Sequence, residues 1–259
     1  MNRYFIRLSY CGTAYNGWQS QPHAQTKTIQ RTIEHVLTTL IRKEVAIVGC
    51  GRTDTGVHAK NYVAHVDIPN GIDIKNLVYR ANKLLPGDIA IHEIIPVTGQ
   101  AHARFDAISR SYEYHLHTAK SPFEPFSYYY YYDEPDLEKL NAAASLLPKY
   151  TDFTTFCKLH SDVHTMNCKL TESIWIKNGD TYIYKVTSDR FLRGMIRLVA
   201  GMCLQVSRGK LTLDDVRYAM DKRCRLPQDW SVPAIGLVLC DIRYNMDTLA
   251  SLSKKPLQK

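Results

Sequence analysis

Apolar residues recur along this chain first with period two, then with period 3.6, in the order β-α-β-β-α-β, and that order occurs twice. Tyr4, Ile6 and Leu8 alternate with Phe5, Arg7 and Ser9 as a strand does. Residues 28–43 then carry Ile29, Ile33, Val36, Leu37, Leu40 and Ile41 at helical spacing. Residues 45–48 and 61–68 read as strands, Asp73 suits the cap of a helix bearing Leu77, Val78, Ala81, Leu84 and Leu85, and residues 88–95 form a strand again. In the second half, strands at 111–117 and 126–132 precede a helix at 135–147, whose Pro135 and Asp136 suit a first turn. Strands at 171–177 and 181–187 flank Asn178-Gly179-Asp180, a hairpin turn by composition. An apolar-striped helix at 191–206, a short helix opened by Thr212 and Asp215 in capping-box style, and a strand at 236–244 complete the pattern, with one strand and one helix more than the first half.

The fold class expected from this order is α+β: two pseudo-repeated split βαβ halves, ferredoxin-like or RRM-like, with largely antiparallel sheets and a central catalytic cleft where they meet. The N-terminal half spans 1–105 and the C-terminal half 106–245. Residues 246–259, rich in Ser, Lys and Pro, read as a mobile tail. Such a fold hosts RNA-recognition modules but does not by itself assign a function.

A chain of 259 residues, 45% hydrophobic and 22% charged, has enough apolar material for a packed core, which excludes a disordered or coiled-coil protein. Its 33 Lys+Arg against 25 Asp+Glu leave a net charge of +8, which favours a polyanionic partner over an ordinary basic surface only when a motif supports it. The seven cysteines are odd in number and scattered, with no C-x-x-C and no leader before them, so a reducing cytoplasm is the expected location. No apolar run reaches the roughly 18 residues of a membrane span, so no membrane partner is expected.

The densest cluster of chemistry is Gly49-Cys50-Gly51-Arg52-Thr53-Asp54-Thr55-Gly56-Val57-His58, which follows a strand. Its glycines suit a loop that approaches a ligand closely. It is neither phosphate cradle, since Asp54 stands where the dinucleotide pattern needs Gly and the Lys-Ser/Thr of a P-loop is absent. The loop presents a carboxylate. Taken alone, it leaves Asp54 open between an Asx-turn or capping residue and a catalytic group that Arg52 keeps ionised.

The stretch GRTDTGVHA resembles the active-site loop of the tRNA pseudouridine synthase A family, and further segments match in the family's order along nearly the whole chain. They are Tyr10-Cys11-Gly12-Thr13-Ala14-Tyr15-Asn16-Gly17-Trp18-Gln19, Asn82-Lys83-Leu84-Leu85-Pro86-Gly87-Asp88-Ile89, His102-Ala103-Arg104-Phe105, Arg110-Ser111-Tyr112-Glu113-Tyr114, Phe191-Leu192-Arg193-Gly194-Met195-Ile196-Arg197 and Pro233-Ala234-Ile235-Gly236-Leu237. The resemblance implies isomerisation of uridine to pseudouridine in the anticodon stem-loop of tRNA, at positions 38 to 40, by a homodimer that reads one tRNA across both subunits. The C1′–N1 bond breaks, the uracil turns, and C1′ joins C5, so no metal or cofactor is expected. What is needed is a nucleophile, a base pocket and a proton acceptor.

The resemblance also distributes roles. Asp54 matches the catalytic aspartate, Tyr112 the tyrosine that packs on the target uracil and assists proton removal from C5, and Arg197 the basic residue that pairs with the aspartate. Arg52 matches the arginine that holds the nucleotide out of the stack, and Arg110, which opens the Tyr112 segment, is expected to bind substrate with Tyr112 and Arg52. Arg190, Arg193 and Arg197, at i, i+3 and i+7, are expected on one helical face that tracks phosphates in part. Thr55 and Ile235 depart from the family's usual alanine and histidine.

Two further signals carry less. Cys157, His160, His164 and Cys168 have four metal-capable side chains but no familiar structural zinc spacing. The tyrosine run at 128–132 is expected to pack on a sheet rather than to stack on bases. A non-catalytic RNA-binding protein using the same basic cleft, and a zinc-dependent enzyme built on the Cys/His loop, are the competing readings.

Overall fold

The computed structural model describes residues 1–20, 26–157 and 165–245. The chain divides into two compact units, one formed by residues 1–108 with the chain from 239 onward, the other by residues 109–238. Both are mixed α+β, with strand pairing that is mostly antiparallel.

The first unit runs β1 (Asn2–Tyr10), α1 (Ile29–Ile41), β2 (Ile47–Gly49), β3 (His58–Ile68), α2 (Ile74–Leu84) and β4 (Ile89–Pro96). Antiparallel β1 lies between β3 and β4, and β2 pairs with β3. Ile6, Leu8 and Tyr10 alternate inward along β1, and Ile29, Ile33 and Leu37 of α1 and Leu77 and Ala81 of α2 supply the buried faces of the helices. Each helix starts where a side chain caps it. Thr28 accepts from the Arg31 N–H and Asp73 from the Asn76 N–H, which satisfies donors the first turn leaves orphaned.

The second unit begins within β5 (Ala107–His117) and continues through β6 (Tyr128–Tyr129), α3 (Leu137–Ala144), β7 (Leu170–Asn178), β8 (Thr181–Ser188), α4 (Met195–Ser207) and α5 (Leu213–Asp221). Antiparallel β8 lies between β5 and β7. Gly179, at φ +57°, occupies the first position of the two-residue β7–β8 turn, as a II′ hairpin requires. Helix α4 is buried along most of its length and packs on α3, while the Thr212/Asp215 capping box opens α5 as its spacing predicts. The final strand, β9 (Leu237–Tyr244), begins in this unit, but its neighbours from Leu239 onward belong to the first; Tyr244 donates to the Ala103 carbonyl at 2.6 Å and packs on Phe5.

Three local expectations need correction. The helix expected over 191–206 starts at Met195, because Gly194 before it sits in the left-handed region at φ +72°. Arg190 and Arg193 therefore precede the helix and form no stripe with Arg197. The strand expected over 126–132 is only two residues long, paired parallel to β5. Tyr130 is buried, but Tyr131 and Tyr132 are exposed and pack on each other with ring centroids 4.5 Å apart, so sheet packing does not account for the whole run. Asp136 caps α3, accepting from the N–H groups of Glu138 and Lys139, instead of lying in its first turn. The proposed tail at 246–259, and His160 and His164 of the Cys/His loop, lie outside the described residues.

Candidate active site

Asp54 sits in the connection from β2 to β3, and the Tyr10–Gln19 segment wraps that connection from outside. The Trp18 N–H donates to the Thr53 carbonyl at 3.2 Å, and the Gly56 N–H to the Tyr15 carbonyl at 3.4 Å. Val57 N–H closes a turn onto the Asp54 carbonyl at 3.2 Å, with Gly56 at φ +81° inside it. The two backbones approach so closely that side chains are excluded. A Cβ on Gly12 would strike the Val57 carbonyl, and one on Gly17, already at φ +85°, would strike the Thr53 carbonyl. The glycines at 12 and 17 are thus contacts of the aspartate loop, although they lie some 40 residues from it in sequence.

Beneath the loop is an aromatic floor. The Trp18 and Tyr62 rings stack at 4.0 Å between centroids, with Tyr10 at 5.5 Å from Tyr62. Their polar ends are used as well: the Tyr62 hydroxyl donates to the Gly51 carbonyl, and the Tyr10 and Thr53 hydroxyls share a buried hydrogen bond of 2.8 Å. The His58 Nδ1 accepts from the Gly12 N–H at 3.1 Å, and Tyr15 donates to the Asp88 carboxylate at 2.6 Å. Burial and Asp88 together push the Tyr15 hydroxyl well above the usual tyrosine range, so it stays a donor. Asp54 is half-buried on this support and Arg52 is exposed on the same loop.

The second unit presents the remaining candidates. Arg110 and Tyr112 project from the same side of β5, opposite Ser188 and Val186 of β8. Both meet the segment that follows β8: Arg110 Nη1 donates to the Asp189 carbonyl at 2.6 Å, and the Tyr112 ring meets Phe191 edge-on at 5.2 Å. The Asp189 carboxylate fastens this segment by accepting from the N–H groups of Arg190 (2.7 Å) and Lys169 (2.8 Å). Arg197, half-buried in the first turn of α4, is clamped to Val232. Its Nε donates to the Val232 carbonyl at 2.6 Å, and its own carbonyl accepts from the Val232 N–H at 3.2 Å. One turn on, a Cβ at Gly201 would strike the Trp230 carbonyl, so Gly201 lets the 230–232 segment lie directly on the helix. Tyr114 completes the clamp by donating to the Pro233 carbonyl at 3.0 Å.

Exposed Arg193 and Arg225, with Phe156, Leu226 and Trp230, line an open cavity of about 310 Å³. Among the described residues no group of three or more His, Cys, Asp or Glu side chains is placed to hold a metal ion. Burial pushes the Cys168 thiol up to about 12. No described helix is long and apolar enough to cross a membrane.

A family model described as tRNA pseudouridine synthase matches residues 144–245. Relatives along nearly the full length decide the matter. A tRNA pseudouridine synthase A of Porphyromonas gingivalis is 45% identical over 251 residues, covering 95% of this chain and 99% of its own. Those of Parabacteroides distasonis and Bacteroides thetaiotaomicron are 44% and 40% identical, over 94% and 98% of this chain and 96% and 95% of theirs. This chain belongs to the tRNA pseudouridine synthase A family. As a member of the family it is an isomerase that converts uridine to pseudouridine.

The Tyr10–Gln19 segment and the aspartate loop, two separate motifs in sequence, are one structural object. Reading residues singly for chemistry overlooked Gly12, Gly17, Tyr10, Trp18 and Tyr62, although the ordered motif containing the first four was legible. Asp189 and Val232, which hold the second unit's candidates, lie outside every motif. Only the backbone groups they contact reveal them.

Proposed function

We propose that this chain isomerises uridine to pseudouridine in the anticodon stem-loop of tRNA, at positions 38 to 40, with Asp54 as the catalytic carboxylate. The observation that carries this reading is the Asp54 loop: a half-buried carboxylate fixed by backbone contacts to Gly12, Tyr15 and Trp18, in a family whose reaction needs such a group. In the reaction, C1′–N1 breaks with Asp54 acting on the sugar or the base, the uracil turns, and C1′–C5 forms. The proton on C5 then leaves and N1 gains one, so no atom is added or lost overall. Tyr112 packs on the uracil and assists removal of the C5 proton. Arg197 pairs with the aspartate, Arg52 holds the nucleotide out of its stack, and Arg110 binds substrate beside Tyr112.

The same reading includes two subunits acting on one tRNA in the cytoplasm, without a cofactor. It also treats the halves as repeats of one split βαβ plan, in keeping with the β-α-β-β-α-β order of the first half and the same order, with one strand and one helix more, in the second. Arg193 and Arg225 around the 310 Å³ cavity, together with the net charge of +8, suit phosphate contacts.

The deciding experiment is tritium release from C5-labelled, unmodified tRNA in the presence of chelator. Wild type should release tritium, and Asp54→Asn should abolish release, by at least about a thousandfold, with tRNA affinity within a few-fold. Equal release by the two removes Asp54 from the mechanism. Binding without release from any tRNA supports the non-catalytic RNA-binding reading instead.

A further inference from the structure

The turn at 102–106 takes no part in the roles assigned above, yet all five of its backbone N–H groups are committed. His102 N–H donates to the Asp106 carboxylate at 2.8 Å, and Asp106 N–H returns to the His102 carbonyl at 3.0 Å. Inside this ring the His102 Nδ1 accepts from the N–H groups of Arg104 (3.2 Å) and Phe105 (3.3 Å). Ala103 N–H donates to Nδ1 of His65 on β3 at 3.1 Å, while its carbonyl takes the Tyr244 hydroxyl. His65 is buried and must be neutral to accept; burial above all, with His102 and Arg3 nearby, lowers it to about 4. Surface turns commonly leave such donors to water, so this one is fixed from within.

What the fixed turn holds out is an aromatic ring. Phe105 is 76% exposed, the His102 imidazole lies against it at 4.3 Å between centroids, and the Arg104 guanidinium is 5.8 Å from its centre. Keeping a phenylalanine in water forgoes the favourable burial of its ring. A rigid support for such a ring suits a partner that pays back through its face. The ring offers a π surface beside a guanidinium, the pairing that a nucleic-acid base and its phosphate match, and the Asp106 carboxylate that would repel phosphate is turned to the His102 N–H.

We propose that Phe105, with Arg104 beside it, is a stacking platform for a base of the RNA substrate other than the uridine that reacts. This rests on the reading of the chain as a tRNA-modifying enzyme. The platform is pre-organised by His65 and His102, so stacking immobilises no further protein backbone.

The test uses the full chain, an unmodified tRNA transcript, fluorescence anisotropy for affinity and tritium release for turnover. Phe105→Ala should weaken tRNA binding about tenfold, and the loss should fall on KM rather than kcat. Phe105→Trp should bind within about twofold of wild type, whereas Phe105→Leu, apolar but without a π face, should behave like Phe105→Ala. Equal affinity of wild type and Phe105→Ala, or full affinity in Phe105→Leu, overturns the platform. So does a fall in assembly mass by light scattering for Phe105→Ala at unchanged affinity, which would make the ring a contact between copies of this chain. A wild type that binds tRNA without releasing tritium defeats the isomerase reading while the affinity series still decides the platform. A wild type that binds no tRNA overturns both.

Discussion

The loop that carries Asp54 is held by backbone against backbone, with two glycines at the points of closest approach and three aromatic rings beneath. The turn that presents Arg197 has a backbone contact of its own, from the Val232 N–H, but adds a side-chain hold: its guanidinium reaches out and donates through Nε to the Val232 carbonyl. The carboxylate has a short side chain, so placing it means placing its backbone. The arginine has a long one, so its backbone can sit in a regular helix while the bond from Nε to Val232 helps to set its direction. Damage to the first arrangement should therefore come from adding atoms to neighbours, and damage to the second from removing the Nε donor of Arg197.

Among changes to the residues that hold the two arrangements, the largest effect should follow Gly12→Ala. The new Cβ collides with the Val57 carbonyl, which belongs to backbone and cannot swing away, so the Asp54 loop must move. Stability should fall by about 1–3 kcal/mol in urea unfolding, and tritium release by at least about a hundredfold because Asp54 is displaced. Normal release would show that the loop tolerates movement, and the contrast drawn above would fail.

Acid tests the same unit through His65. Its folded pKa lies near 4, below the unfolded value of about 6.5, so the neutral imidazole contributes stability that is fully present above the unfolded value. That contribution drains away as pH falls from about 6.5 towards 4, up to ~3 kcal/mol in all. Urea midpoints across this range for wild type and His65→Asn should show a steeper acid loss in wild type. Parallel curves would mean that His65 does not accept from Ala103 in solution.

Arg197→Lys separates charge from direction. Lysine keeps the cation but lacks the Nε that donates to Val232, so turnover should drop about tenfold with tRNA affinity within a few-fold. Turnover equal to wild type would mean that charge alone matters there. The smallest effect should be Tyr15→Phe, which removes the bond to Asp88 but leaves the Tyr15 carbonyl on Gly56: about 1–2 kcal/mol of stability, with turnover within about twofold. A large loss of turnover would instead place side-chain bonds on a par with backbone contacts in holding the loop.

Local physics was legible wherever one residue and its near neighbours settle the conformation. Thr28, Asp73 and the Thr212/Asp215 pair cap helices where spacing placed them, and Gly179 makes the hairpin turn. The reading failed where a local pattern admitted two outcomes. Phe191 and Leu192 extend the apolar stripe of α4 backward, but Gly194 adopts positive φ and the segment before it is tied instead to β5 through Asp189 and Phe191. On a strand the tyrosines of the run would face alternate sides, yet β5 offers it only two residues of pairing.

From sequence alone came the order of elements, the aspartate loop and the family, because periodicity, capping and ordered motifs are properties of neighbours along the chain. The tertiary structure decided that Gly12 and Gly17 are parts of that loop, that Val232 directs Arg197, that the chain from Leu239 returns to the first unit, and that a buried neutral His65 holds the Phe105 turn. Each of these is a contact with a backbone carbonyl or N–H, or with a group distant in sequence. Every residue carries the same backbone groups, so no side-chain pattern records which of them will meet until the chain is packed.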